Sequence, residues 1–526
     1  MNFPMLKNDI QYWDQLCESF EAACGVIGAK KKMDLSFDIN DWDGLGSFYE
    51  KNTTKQYKSK YGQFFTPKSI VEYLIKSTGY KKTYIVADIS CGSGRFLLGV
   101  IEKLVDSRTD LQDIQNRIFG FDIDPVLIRI SLANIRGYLA KRGYKITTDT
   151  DFNVECKNSL ESIGGLFSKK YEFDCILGNP PYLKASPKQN LGHPNLYASF
   201  VEAGVNFLKK GGRLGYIIPK SFVSGAYFSK LRQILSEQVL TQEIITLYER
   251  DRAFSDVLQE QVLLTIQNQE PTKKDVVVGV AFTNGKFEIN TFKSPYSTVF
   301  WEDIICIPSN EFDMRLVNKC FKNGFKKIAH AGLRVSTGQI VPYRMKEYLT
   351  EEDKKTHRPI YWSHNIAARK FEPNKKQKGR QHMVIDSKEI ETEKLREPVL
   401  AFKRISAKEQ SRRLEGALIP GSAQGYFLEN HLNFIKREHE QAPSLEVLQI
   451  LLNSALWDRL FRLINGNTQV SAKEIRIFPI PHDVDSLQEA AKNGVANEHL
   501  EKVINTAYGL TPDESNYVLS GRNEIM

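Results

Sequence analysis

From residue 84 to residue 267, apolar strand-like runs alternate with amphipathic helical segments, and no other feature of the chain restricts its fold as much. The runs lie at 84–89, 118–122, 173–177, 213–218, 243–247 and 261–267. Helical periodicity occupies 94–104, 125–139 and 197–208 between most of them. Strands joined through helical crossovers pair in parallel, so the expected fold class is α/β, a doubly wound, mainly parallel sheet. The link between the last two runs, around 251–256, is too short and loop-like for such a crossover. It predicts a locally antiparallel pair at one end of the sheet.

The flanks read differently. Residues 1–55 are expected to be helical, with Tyr12, Leu16, Phe20 and Ala23 at helical spacing, and to act as a packing appendage. Thr66 followed by Pro67 reads as an N-cap with proline at the first helical position, ahead of a helix carrying Ile70, Val71, Leu74 and Ile75. Past residue 271 the alternation stops. Residues 275–300 read as short strands and turns, with Asn284-Gly285 a hairpin signal. From 332 the chain is basic and irregular, then ends in helices near 444–464 and 487–504. The expected division is a helical segment at 1–55, the α/β domain at 56–270, connecting strands at 271–330 and a mixed α+β domain at 331–526.

Composition bounds the function classes. With 526 residues, 41% hydrophobic and 26% charged, the chain has material for a large core. Its seven cysteines are scattered and never form Cys-x-x-Cys, which argues against a disulfide framework and a zinc site and predicts a reducing cytoplasm and no metal. The first residues lack the apolar core of a signal peptide, and no apolar run approaches membrane-spanning length, so a membrane partner is not expected. A net charge of +9 permits a polyanionic partner without requiring one.

Chemistry concentrates at three strand ends. The segment from Val86 to Phe96 is a strand, a turn containing Cys91, Gly92 and Gly94, and a helix start, in which glycines let the backbone bend sharply beside a ligand. It lacks the third glycine of a dinucleotide fingerprint and the Gly-Lys-Ser/Thr of a P-loop. The next strand ends in Asp122-Ile123-Asp124-Pro125. Asp122 is placed to accept hydrogen bonds from two ribose hydroxyls, although a turn or helix-capping role would also suit it. Together these features describe an adenosyl site without phosphate-binding machinery, which points to S-adenosylmethionine rather than NAD or ATP. The third strand delivers Asn179-Pro180-Pro181-Tyr182. Two prolines end regular structure there and leave an amide, free carbonyls and a flat ring to hold a planar, amine-bearing group.

With residues 62–68, 88–96, 121–125 and 179–182 in this order, the chain resembles the gamma-class adenine-N6 DNA methyltransferases, the TaqI-like family, over about residues 60 to 270. The C-terminal third resembles that family's target-recognition domain more loosely, around Leu451-Leu452-Asn453-Ser454-Ala455 and residues 466–470 and 478–481. The resemblance implies a Rossmann-like catalytic domain binding S-adenosylmethionine and acting on a flipped-out adenine of double-stranded DNA. Phe65, Thr66 and Pro67 would hold the methionine moiety. Asp88, Cys91, Gly92 and Gly94 would form the cradle, Asp122 would bind the ribose, and Ile123 would join the cofactor-binding residues. Asn158 stands where the family often has an Asp contacting the cofactor adenine. Asn179 and the Pro180 carbonyl would grip the target amine beside Pro181, with Tyr182 stacking on the base. Phe254 matches a second stacking aromatic, though plain packing fits it nearly as well.

Arg369, Lys370, Lys375, Lys376, Lys378 and Arg380 form a basic run, to which Lys403, Arg404, Arg412 and Arg413 add. Tyr361, Trp362, His364 and Asn365 stand among them and could reach base edges. A single charge cluster is usually a solvated face; several beside such a catalytic module are expected to contact phosphates. A separate cognate restriction endonuclease would fit a restriction–modification role. Two other readings stand beside this one. Glutamine-N5 protein methyltransferases share Asn-Pro-Pro-Tyr but are compact, and a DNA-binding subunit with an inactive methyltransferase fold would not need the intact motif set.

Overall fold

The computed structural model describes residues 10–53, 66–106, 109–161, 172–185, 192–249, 260–284, 286–386, 392–407, 410–466, 468–492 and 497–520. The chain divides into two compact units, 1–222 with 227–303, and 223–226 with 304–526.

The first unit is built on a nine-stranded sheet of β1 Val86–Asp88, β2 Ile118–Asp122, β3 Asn153–Cys156, β4 Phe173–Gly178, β5 Leu208–Pro219, β6 Leu240–Glu249, β7 Gln261–Gln267, β8 Asp275–Asn284 and β9 Lys286–Pro295. Their order is β3-β2-β1-β4-β5-β7-β6-β8-β9. The pairs from β3 through β5 are parallel. As the short link predicts, β7 runs antiparallel to both β5 and β6. The central strands are buried on both faces, which is why they read as apolar runs. β3 gave no such signal because only Val154 of its four residues is buried.

Two ten-residue strands replace the short ones expected past residue 271. β8 pairs in parallel with β6, and β9 returns antiparallel from Lys286 beside Asn284 to Pro295 beside Asp275. The sheet therefore continues to Pro295. Alternating burial marks β9 as its outer edge, where Lys286, Lys293 and Pro295 discourage further pairing.

Helices α1 Ile10–Ala23, α2 Gly44–Asn52, α3 Lys68–Ser77, α4 Arg95–Leu104, α5 Leu111–Arg117, α6 Pro125–Lys141 and α7 Leu196–Phe207 accompany the sheet. The N-terminal helices have a core of their own. Trp13, Leu16, Phe20, Leu45 and Tyr49 pack on Val126, Leu127, Ile130 and Ala133 of α6. Glu21, 1% exposed, joins α1 to α6 through Arg129 at 2.7 Å and Arg136 at 3.2 Å.

The second unit is mixed α+β. One four-stranded antiparallel sheet orders Leu333–Thr337, Leu432–Arg437, Val399–Lys403 and Gly416–Ile419; another combines Leu349–Thr350, Met383–Ile385, His357–Tyr361 and Phe427–Leu428. Regular strands thus run through the stretch that reads as irregular in sequence. Helices Glu311–Lys322, Ala455–Ile464 and Pro512–Ser520 meet at a buried cluster, in which Arg459 donates to both Asp313 oxygens at 2.7 and 2.6 Å and Tyr517 donates to Asp313 at 3.0 Å. Val223 and Ser224 are buried, and the Ser224 hydroxyl donates to Glu474, which also accepts from Asn465 at 2.8 Å and caps its own helix through Ser471 N at 2.9 Å. Among the described residues, no helix is long and apolar enough to cross a membrane.

Candidate active site

The carboxyl ends of β1, β2, β3 and β4 open on a cleft of about 950 Å³, the position where ligands of open α/β sheets bind. Its lining brings together Thr66, Asp88, Cys91, Gly92, Asp122, Ile123, Asn158, Asn179 and Pro181, which are scattered over more than a hundred residues of sequence. Phe65 and Phe254 lie outside the described residues, as does the 251–256 link.

The Gly-rich turn is held by backbone hydrogen bonds from Cys91 N to Phe121 O at 2.9 Å and from Gly94 N to Cys91 O at 2.8 Å. Gly94 adopts φ +87, and a Cβ there would meet the Ser131 Oγ at 2.4 Å, so both conformation and packing require glycine before α4. Gly92, at φ +52, has nothing within 4 Å of where a Cβ would be, so its left-handed conformation rather than packing favours glycine.

Two carboxyls set the electrostatics. Asp88 is 2% exposed and accepts from Ser90 N at 3.0 Å; burial pushes its pKa up to about 8. Asp122 accepts from Gly92 N at 2.9 Å and Asp124 N at 3.0 Å, and burial raises it to about 6. Of the two alternative roles for Asp122, the turn role is present, since Asp122 accepts from Asp124 N two residues on, whereas capping falls to its neighbour. Asp124 is the N-cap of α6, accepting from Val126 N at 2.9 Å with Pro125 at the first helical position. Ile123 stands 54% exposed at the rim, an apolar face beside the Asp122 carboxylate. Asn158 follows β3, with its side-chain oxygen accepting from Leu160 N at 3.1 Å.

An adenosyl group with a positively charged sulfur fits this donor and acceptor set. The lining is largely apolar, it carries carboxylates, and its two cations are committed elsewhere. Arg95 pairs with Asp43 and Lys157 with Glu155, so neither is arranged as a phosphate clamp.

The Asn179-Pro180-Pro181-Tyr182 segment leaves the end of β4 at the cleft. The Asn179 Nδ2 donates to Thr66 Oγ1 at 3.1 Å. This corrects the capping role expected of Thr66: α3 starts at Lys68, its N-cap is Pro67, and no side chain caps it. The Thr66 hydroxyl is turned to Asn179 instead. The Tyr182 hydroxyl donates to the Ile217 carbonyl of β5 at 3.3 Å, and its ring meets Tyr197 edge-on at 6.5 Å. Sequence reasoning did not find Leu127, Leu196 and Phe200, which complete the apolar wall. Leu196 and Phe200 stand four apart on α7, a spacing that marks a shared face but not what it faces.

In the second unit Arg369 is brought near Lys403. Arg369 N donates to the Gly416 carbonyl at 2.9 Å, and Gly416 pairs with Phe402 next to Lys403. Many of the charges have partners: Lys370 and Lys375 both reach Glu372, at 2.9 and 3.0 Å, Lys403 pairs with Glu415, and Arg404 donates to Asn430 O at 3.0 Å. Arg380 lies 4.5 Å over the Trp362 ring. Lys376 and Lys378 are exposed. Arg413, which belongs to the basic run in sequence, is instead 2% exposed, donating to Asn465 at 2.7 Å and lying over Phe461.

Residues 116–254 match the family model described as Eco57I restriction-modification methylase. Over this stretch the chain is similar to restriction-modification methylases. It is 27% identical over 454 residues to the type II methyltransferase M.BsuBI of Bacillus subtilis, covering 82% of this chain and 89% of the relative. It is 28% identical over 340 residues to the type II methyltransferase M.PstI of Providencia stuartii, covering 60% and 66%. Among solved structures, the type IIL restriction-modification enzyme MmeI in complex with DNA is similar in fold, with a TM-score of 0.55 at 12% identity over 91% of this chain and 80% of that one.

Proposed function

We propose that the protein is a site-specific DNA methyltransferase that moves a methyl group from S-adenosylmethionine to N6 of adenine in duplex DNA, within a restriction–modification or epigenetic system. The observation that carries this reading is that Asn179 and Pro181 of the Asn179–Tyr182 segment line a cleft whose other walls hold Asp88, Asp122 and Asn158.

The cofactor, when bound, supplies an activated methyl group, and every other requirement falls on the protein. Asp122 would accept from the ribose hydroxyls, with Ile123 against the adenine and Asn158 at its edge. Asp88 and the Gly92 backbone would line the cradle, and Thr66 and Pro67 the methionine end. The amine lone pair of adenine is delocalised into its ring, so the amine is a poor nucleophile. Acceptors on its two hydrogens, the Asn179 side-chain oxygen and the Pro180 carbonyl, favour a tetrahedral nitrogen as it attacks. Placement in line with methyl and sulfur supplies most of the acceleration. An amine inside stacked DNA is out of reach, so the base must leave the helix. Stacking on Tyr182 offsets part of that cost, at about 1–3 kcal/mol per base. Lys376, Lys378 and the neighbouring cations would hold phosphates.

The test is to incubate the protein with unmethylated duplex DNA and isotopically labelled cofactor, then digest to nucleosides. Label in N6-methyladenine is the expected result. Label in a cytosine, or in polypeptide with the DNA unlabelled, would overturn the assignment, the latter in favour of a protein glutamine. Mapping the modified adenines would then give the recognition sequence, and a gene for a separate endonuclease cutting that sequence would place the protein in a restriction system.

A further inference from the structure

The side chain that meets Asn179 comes from 113 residues earlier in the chain. Thr66 is 4% exposed, and its hydroxyl oxygen accepts the Asn179 Nδ2–H at 3.1 Å. A primary amide has a donating and an accepting end, and a half-turn of the side chain exchanges them. The difference is decisive here. With oxygen outward, the amide accepts from an amine; with nitrogen outward, it sets donor against donor. A hydroxyl can accept from one end or donate to the other, so Thr66 fixes where the amide sits, and in this structure it meets the nitrogen end.

Thr66 is itself held in place. Its carbonyl accepts from Arg95 Nη1 at 3.1 Å, while Arg95 Nη2 donates to Ser47 Oγ at 3.2 Å and Nε pairs with Asp43. Asp43 is 2% exposed and also accepts from Gly46 N at 3.1 Å, Ser93 Oγ at 3.3 Å and Asn134 Nδ2 at 2.8 Å. The start of α2, the Gly-rich turn and α6 thus converge on one buried carboxyl, and the guanidinium beside it reaches the backbone of Thr66.

We propose that Thr66 is a positioning residue for methyl transfer, its hydroxyl holding the Asn179 amide in place at the cleft and its backbone anchored by Arg95 and Asp43. The proposal rests on the methyl-transfer reading of the cleft. Thr66→Val keeps the volume and burial but leaves Asn179 Nδ2 without this acceptor; Thr66→Ser keeps the hydroxyl.

The experiment uses the full chain. Methyl transfer to duplex DNA gives kcat and KM, and calorimetry without DNA gives the Kd for S-adenosylmethionine. Thr66→Val is expected to lower kcat at saturating cofactor about tenfold, the effect of one orienting hydrogen bond, a loss separate from any weakening of the cofactor Kd at the methionine end, while the KM for DNA stays within about twofold. Thr66→Ser is expected to recover most of the rate. Should Thr66→Val melt well below the wild type, Thr66→Ala serves as the second hydroxyl-free variant. Wild-type turnover in the folded hydroxyl-free variant would overturn the proposal. So would a loss residing wholly in the cofactor Kd, which would make Thr66 a cofactor ligand alone. A wild-type protein that labels no DNA strikes the methyl-transfer reading itself, whatever the variants do.

Discussion

Asn179 is asked to do its work through one side-chain oxygen, so Asn179→Ala is expected to abolish methylation of DNA while changing cofactor affinity little. Calorimetry beside the labelling assay separates the two, and retained turnover would remove the residue from the mechanism. For the two buried carboxyls, cofactor binding and stability respond to pH with opposite sign. Asp122 is pushed up to about 6, so its carboxylate, the proposed acceptor for a ribose diol, is lost as pH falls through 6. Cofactor affinity should drop below that pH in the wild type and stay flat in Asp122→Asn. Stability runs the other way. A folded pKa above the ordinary carboxylate value of about 3.9 means the contribution is present in acid and lost as pH rises through the folded value. Asp88, at about 8, makes this plain. Asp88→Asn should melt higher than the wild type at pH 8, with the advantage shrinking toward pH 5, in the cofactor-free protein. Asp88, Asp122 and Asn179 stood out in the sequence because each ends an apolar run. Asp43 and Arg95 did not, since nothing in a linear pattern pairs a buried acid with a cation 52 residues away.

At the scale of elements, the first unit depends on how α1 and α2 are tied to α6. Glu21 serves two arginines from a buried position, and removing it leaves both without that carboxylate. Glu21→Ala is therefore expected to cost about 3–5 kcal/mol, measurable as a lowered denaturation midpoint, whereas a break in an exposed pair such as Lys502 with Glu498 should pass unnoticed. The strands that sequence made legible are those buried on both faces. β3 escaped because an edge strand of four residues with one buried side chain carries almost no pattern. β8 and β9 were visible as a hairpin, but their joining to the sheet depends on β6, far upstream in the chain. Thr66 ahead of Pro67 has the local form of a helix start, and the competition for its hydroxyl was won by an amide from the end of β4. Local rules fail where a side chain is claimed by another part of the molecule.

At the scale of the whole molecule, the charge of +9 is unevenly committed. Lys375 and Lys370 share Glu372, so their phosphate contacts would compete with an internal partner. Lys376 and Lys378 are exposed, and replacing both by Ala is expected to weaken DNA binding across all sequences and lower the salt slope by about 2. Fluorescence anisotropy at several salt concentrations checks this, and an unchanged slope would place the phosphate contacts elsewhere. The +9 was readable from composition, but which cations are spent on Glu372, Glu415 or the core around Arg413 was not.

Residues 223–226 bear on how the second unit could be exchanged between related chains. The chain leaves the first unit after Phe222, gives four residues to the second and returns at Tyr227 before crossing again at 303. A chimaera spliced at 303 alone would keep Ser224 from one parent and Glu474 from the other. Three joints, with Val223 and Ser224 travelling beside their own partners, are what a transplant of the second unit would need.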